Sequence, residues 1–389
     1  VSLFFGGDPG VFSGDSAAEM IARRTARRGF KTVTPMTALR SGAVWACRRL
    51  RADLVSTLPI DVFRSVAGVD IEMTKPPVFI TPDGRIDWEE WLYSSQDDLD
   101  AIGNTVGVIT QRDGNGLPSR IELIPHHELS IKCQGAYPVS YYANGEKFTP
   151  DQVWHERQFT RSGLGIGLSP IADAAMSIGG YLSAQQFAAD WFAGGGIPAA
   201  HLKKTDKVLA PGEADKVKER YNAQVLSGDL FVTGNDWEYT PIAAKASEAL
   251  FIEQMKFGIV DICRFLGVPA DMIDADTSTG SITYANITQR NLQLLIMNLN
   301  PALRRREAAF SRRLLPQPRF ARFNRGALLE MDLKSRYEAH NLAIAGRWKA
   351  PSEVRGLENL PPFTPEQLAE FSIFAKAPAT QTPSSGGNA

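Results

Sequence analysis

The stretch VWHERQFTRSGLGIGLSPIADA, residues 153–174, runs from a strand through a glycine-rich turn into a helix, and it fixes the order of the elements on either side. Val153 to His155 read as the end of a strand, and Gly163, Gly165 and Gly167 then break the pattern. Ser169-Pro170 supplies a hydroxyl cap followed by proline at the first helical position. A dinucleotide-binding fold needs glycines here, so that pyrophosphate can approach the helix N-terminus. The spacing is GxGxG, not GxGxxG, and no further βαβ unit follows, so a turn feeding a capped helix is the stronger reading. Ser169 mimics half a nucleophile elbow without its second glycine. No Gly-Lys-Ser or Gly-Lys-Thr occurs, so the chain offers no phosphate loop for nucleotide hydrolysis.

Downstream, the helix runs to about Gly194 and is rich in small residues such as Ala172, Ala175, Gly179, Gly180 and Ala184, which let another backbone come close. Residues 197–243 read as a compact mixed insert, with a charged helix near 211–226 and strand-like DLFVTG and DWEYTPI. A second long helix, about 246–266, places Ile252, Met255, Ile259, Ile262 and Leu266 in steps of three and four, a seam that wants a partner helix. Gly267 suits its C′ position, Val268 the accompanying apolar contact, and Pro269 forbids continuation. A polar, movable loop leads to a third long helix over 283–315, with Leu292, Leu295, Leu299, Leu303, Phe310 and Leu314 on one face. Pro301 in its interior is expected to kink it. From 283 to 325 there are nine arginines and one acid, Glu307. Arg304, Arg305, Arg306, Arg312 and Arg313 are candidate DNA or interface contacts, although the aromatic residues that stack single strands are absent there. A helix from near Asp332 to before Gly346 and a shorter one from Pro351 follow, and the tail after about 376 is low-complexity, expected to be disordered.

Upstream, residues 1–35 are Gly- and Arg-rich and read as a mostly irregular arm. From Thr37, Val44, Cys47, Leu54 and Leu58 keep helical spacing until Pro59. Between 59 and 160 the period turns toward two, with hairpin turns at Asp113-Gly114-Asn115-Gly116 and Asn144-Gly145 and an acidic helix near 87–100. The fold class is therefore α+β.

The 389 residues exceed one ordinary core, and 43% hydrophobic content excludes global disorder. With 42 basic and 43 acidic residues the net charge is -1, against a tight, static nucleic-acid binder but not against a surface past which nucleic acid slides. Cys47, Cys133 and Cys263 stand far apart, which disfavours a disulfide framework or cysteine zinc site and fits assembly in a reducing compartment. No apolar run approaches the ~18 residues of a membrane helix and no signal core opens the chain, so a soluble protein without membrane partners is expected. His126 and His127 are adjacent, so as strand neighbours they would point to opposite faces, and His155, His201 and His340 are isolated, so no metal site is expected. Asp274 and Asp276 begin like a calcium loop, but Thr279 and Ala285 replace its glycine and terminal glutamate.

In this order the elements resemble the portal proteins of tailed bacteriophages, HK97-like family, over about residues 36–362. The likeness is carried by SGAVWACRRLRADLVSTLPIDVFR, by GNTVGVITQRDGNG with IELIPHHELSI, and by VWHERQFTRSGLGIGLSPIADA. WFAGGGIPAAHL, FLGVPADMI with ITYANITQRN, NLNPALRRREAAFSRRLL and DLKSRYEAHNLAIAGRWKAPSEVR continue it. The resemblance implies a dodecameric ring at one capsid vertex, through which double-stranded DNA is packaged and ejected, with no catalysis and no cofactor. It implies an N-terminal arm (1–35), a wing (36–168 and 316–358), stem helices (169–194 and 244–269), a clip (195–243), a tunnel loop (270–282), a tunnel helix (283–315), and a short crown with a disordered tail (359–389). Implied partners are further copies of the chain, DNA, the terminase large subunit, the head-tail adaptor and the major capsid protein; the implied location is the virion, after assembly in host cytoplasm. The tunnel loop would expose Asp274, Asp276, Thr277, Ser278, Thr279, Gly280 and Ser281 to DNA. A nucleotide-binding enzyme using Gly163 to Gly167 and a generic DNA-binding scaffold are the alternatives.

Overall fold

Thr34 opens the first helix, α1 (Pro35–Ala38), with a reciprocal cap: the Thr37 amide donates to Thr34 Oγ1 at 3.1 Å and the Thr34 amide to Thr37 Oγ1 at 2.7 Å. The chain restarts after Ser41 as α2 (Gly42–Ser56), so the helix expected from Thr37 is divided in two. In this computed structural model residues 11–13, 33–135, 137–193, 200–204, 212–227, 237–241, 248–275, 289–290, 292–325, 333–358 and 360–375 are described. They belong to two compact units, divided between 328 and 329.

Asp87 caps the acidic helix α3 (Trp88–Ile102), which ends at Gly103 in the left-handed conformation that glycine adopts freely (φ 72°). Helices α2 and α3 are joined by a ladder of charges. Arg48 grips Asp97 through two bonds of 2.8 and 2.6 Å, and one turn on Arg51 reaches Asp100 at 3.0 Å.

The strands of this region are β1 (Val11–Ser13), β2 (Ile60–Val66), β3 (Val69–Met73), β4 (Asn104–Arg112), β5 (Pro118–Leu123), β6 (Ser130–Gln134), β7 (Tyr137–Ala143), β8 (Glu146–Phe148) and β9 (Val153–Arg157). One antiparallel sheet has the order β5-β4-β9 and another β1-β6-β7-β8. Both expected hairpins form. Asp113 accepts the amides of Asn115 and Leu117 at 2.9 and 2.8 Å, and Asn144 and Gly145 take the positive φ of 50° and 82° between β7 and β8. The arm departs from expectation at β1, which pairs with β6 and supplies partners for its edge; the rest of 1–32 lies outside the described residues.

Ser169 starts α4 (Pro170–Asp173): its Oγ accepts the Ala172 amide at 3.1 Å and donates to Ala101 O at 2.6 Å, tying the helix start to the end of α3. After a break at Ala174, α5 (Ala175–Ala193) continues. The insert pairs β10 (Ala200–Lys204) with β11 (Trp237–Pro241) around α6 (Glu213–Ser227); DLFVTG lies outside the described residues. Helix α7 (Glu248–Leu266) stops as its sequence requires, with Gly267 at φ 65° and the Val268 amide donating to Cys263 O at 3.0 Å. Val44 and Cys47 of α2, Ile178 and Leu182 of α5, and Ile262, Cys263 and Leu266 of α7 form one buried cluster. The Cys47 and Cys263 thiols are free, 3.8 Å apart.

The third long helix is not α-helical throughout. Leu294–Leu299 is π-helical and passes without a break into α8 (Asn300–Arg313), so Pro301 follows directly on a stretch where the regular i→i−4 bonding is already interrupted. β12 (Arg319–Phe323) then returns to pair with β2, giving the order β12-β2-β3. In the second unit α9 (Leu333–Ala345) and α10 (Pro351–Leu357) match expectation, while α11 (Pro365–Ala375) was not anticipated. There Glu358 accepts from Arg336 and His340 at 2.9 and 3.0 Å.

Candidate functional site

The glycine turn proves to be a backbone clamp. A Cβ on Gly167 would stand 2.0 Å from Gly103 O and 2.3 Å from Gln158 O. Asn104 locks the contact: Oδ1 accepts the Gly167 amide at 2.7 Å, and Nδ2 donates to Gly167 O at 3.0 Å and Ile102 O at 2.8 Å. His155 Nε2 lies 3.2 Å from the same Oδ1, and His155 Nδ1 lies 2.9 Å from the Tyr141 hydroxyl. Burial above all, then Arg157 and Arg313, depress the His155 pKa to about 3. Burial pushes Tyr141 up to about 12. A neutral imidazole therefore donates from Nε2 to Asn104 and accepts the Tyr141 proton at Nδ1. Strand β9, which leads into this turn, pairs antiparallel with β4 in a three-stranded sheet and belongs to no parallel βαβ unit, and this corrects the nucleotide-binding alternative.

Of the arginine cluster, Arg306 is corrected: it is 0% exposed and lies inside the protein. Its guanidinium meets Glu156 Oε2 at 3.3 Å, Gln96 Oε1 at 3.1 Å and Ser95 Oγ at 2.6 Å, 5.3 Å from the centre of the Phe310 ring. Sequence periodicity missed this role because the partners stand on α3 and β9, far off in the chain. Arg304, Arg305, Arg312 and Arg313 are exposed on α8. Glu307, the acid of that run, is claimed by Arg325 through bonds of 2.9 and 3.1 Å.

The α7 seam changes character along its length. Ile262 and Leu266 are buried and Met255 and Ile259 partly so, whereas Ile252 is 55% and neighbouring Phe257 61% exposed. Close approach to α5 is real: a Cβ on Gly258 would lie 3.3 Å from the Tyr181 ring, and Ser177 donates to Asp261. Asp274 ends a 3-10 turn (Ala270–Ile273) at φ 55°. Asp276, Thr277, Ser278, Thr279, Gly280 and Ser281 lie outside the described residues. Among the described residues no three His, Cys, Asp or Glu side chains gather as metal ligands, and no helix is long and apolar enough to cross a membrane.

Comparison with known proteins agrees with this architecture. The chain is similar to a probable portal protein of Streptomyces phage phiC31, 28% identical over 87% of this chain and 79% of that one. It is also similar to the portal protein of Enterobacteria phage HK97, 25% identical over 86% and 82%. Its fold matches an HK97-family phage portal protein from Corynebacterium diphtheriae, with TM-score 0.59, 21% identity, and coverage of 76% of this chain and 96% of that one. It also matches a chain of a native gene transfer agent virion, with TM-score 0.59, 18% identity, and coverage of 92% and 97%. The model of the phage portal protein family spans residues 42–359, so the chain belongs to that family, whose members are structural, non-enzymatic components of the capsid vertex.

Proposed function

We propose that copies of this chain close into a twelve-membered ring whose channel passes double-stranded DNA during packaging and ejection, and which docks the terminase large subunit and later the head-tail adaptor within a shell of major capsid protein. A neck of a gene transfer agent particle solved with C12 symmetry holds a chain of the same fold, with TM-score 0.57 and 18% identity. The observation that carries the reading is the α7 seam, which the chain buries at Ile262 and Leu266 and leaves open at Ile252. A neighbouring copy covers what one copy leaves exposed, through a heterologous contact that closes on itself.

In this proposal 36–168 and 316–358 form the wing, 169–194 and 244–269 the stem, 195–243 the clip facing terminase and adaptor, 270–282 the tunnel loop, 283–315 the tunnel helix, and 359–389 the crown and tail. Assembly takes place in host cytoplasm. The tunnel loop, with Thr277, Ser278, Thr279 and Ser281, offers hydroxyls without positive charge. A ring repeats each side chain in every copy, and each neutralised phosphate adds salt-dependent affinity. A basic loop would clamp the duplex, whereas a neutral polar one lets it slide. Exposed Arg304, Arg305, Arg312 and Arg313 serve protein interfaces, which leaves the DNA-scaffold alternative without its main support.

Negative-stain microscopy of the purified full chain is expected to show a pierced ring of roughly half a megadalton, given a subunit of 42.6 kDa. A compact monomer at every concentration refutes the ring. Ser281→Arg is expected to impair packaging without dissolving the ring; unimpaired packaging counts against that loop placement.

A further inference from the structure

A groove of about 630 Å³ opens between β7, β9 and one face of α8, and Arg157, Arg305, Arg312 and Arg313 all line it. Arg157 donates to Gly165 O at 2.9 Å and Arg305 to Pro301 O at 3.0 Å, bonds to neutral carbonyls that orient the guanidinium heads without neutralising them. Arg312 and Arg313 have no carboxylate partner among the described residues. The acid in the lining is Glu156, and its charge is answered by Arg306 within the core. Four cations therefore share one hollow with no counter-charge of their own, an arrangement that focuses positive potential and favours an anionic occupant. The imidazole of His155 at the floor is held neutral by burial first and by Arg157 and Arg313 next, which fits that potential.

We propose that this groove binds an acidic peptide segment of a partner protein, its carboxylates paired with Arg157, Arg305, Arg312 and Arg313. The rest of the lining decides between acidic polymers. Single-stranded nucleic acid is held by successive aromatic platforms. Here Tyr137 is 76% exposed, but the Tyr141 ring is 3% exposed with its hydroxyl engaged by His155. A duplex is a rigid convex surface that meets such a hollow only at its rim. The volume lies among concave sites that enclose small ligands or a few residues of extended chain, and the walls of Pro138, Pro150, Ala308 and Ala309 offer such a chain apolar contact. The proposal does not depend on ring formation and is tested separately from it.

The test titrates a fluorescein-labelled octapeptide of alternating Asp and Glu against the full chain by fluorescence anisotropy, beside an oligothymidylate of equal charge. The peptide is expected to bind more tightly than the oligothymidylate and to weaken as salt rises. Arg312→Glu with Arg313→Glu is expected to weaken the peptide at least about tenfold, whereas Arg304→Glu, on the same helix but outside the groove, changes it less than about twofold. Should the double glutamate variant fail to fold by thermal melting, Arg312→Gln with Arg313→Gln decides, with an expected loss of about fivefold. Absence of peptide binding, an equal loss in Arg304→Glu, or tighter groove-dependent capture of the oligothymidylate would each overturn the proposal.

Discussion

Replacing Arg306 by alanine strands a carboxylate that has no access to water. Arg306 and Glu156 are 0% and 3% exposed, and the guanidinium also serves Gln96 and Ser95. Breaking a buried pair from one side costs about 3–5 kcal/mol, because the survivor keeps its desolvation and loses its attraction. The void beside Phe310 adds to this, while protonation of Glu156 offsets part of it. Burial already raises the Glu156 pKa and Arg306 is what lowers it, so without Arg306 the carboxyl takes up a proton more readily. The net expectation is a loss of about 3–4 kcal/mol near neutral pH, read from urea denaturation followed by tryptophan fluorescence at one protein concentration. Trp91 and Trp154 sit 5.1 Å apart in the same cluster and report on it. The pH dependence has a definite sign. A carboxyl whose folded-state pKa is raised contributes stability that is fully present below its ordinary 4.5 and lost as pH rises through the folded value. Removing Arg306 pushes the folded value higher still, so the gap between variant and wild type should widen as pH rises from about 5 to 8. Adding Glu156→Gln to Arg306→Ala should recover about 1–2 kcal/mol at the upper end, since no charge is then left to bury. A loss under about 0.5 kcal/mol, or a gap that ignores pH, refutes this account of the core.

Gly167→Ala should abolish soluble expression or cost more than about 4 kcal/mol, because backbone lies on both sides of the added methyl at 2.0 and 2.3 Å; a melting temperature near that of the wild type contradicts the clamp. Asn104→Ala should cost about 2–4 kcal/mol by leaving the Gly167 amide and carbonyl without their buried partner, a loss readable by chemical denaturation. His155, depressed to about 3, should withdraw stability as pH falls from 6.5 toward that value, because the unfolded imidazole protonates first. His155→Gln should flatten that slope in a pH series of melting curves, and an unchanged slope argues against it. Ile259→Asp should lower the sedimentation coefficient by weakening the ring or the subunit, and wild-type assembly would count against the seam.

Much of the fold was legible because local chemistry repeats along the chain. Ser169-Pro170, Gly267-Val268-Pro269 and Asn144-Gly145 each satisfy their own backbone within a few residues, so the helix start, the helix stop and the hairpin could be read without a partner. The π-helical stretch Leu294–Leu299 before Pro301 was not legible, since no spacing rule announces it. Arg306 was misread for a different reason. A run of arginines says how much charge is present but not which side chain turns inward to meet Glu156, 150 positions earlier.

The sequence by itself determined the α+β order, the caps and turns, and the family to which those motifs belong, since each depends on residues close in the chain. Only tertiary structure decided that Gly167 is clamped backbone to backbone against Gly103, and that one arginine of the cluster is internal while others share a groove. It also decided which part of the α7 seam the chain covers itself. Those outcomes depend on burial and on distances between groups far apart in sequence, and desolvation energies are set by the surroundings a residue finally meets rather than by its neighbours along the chain.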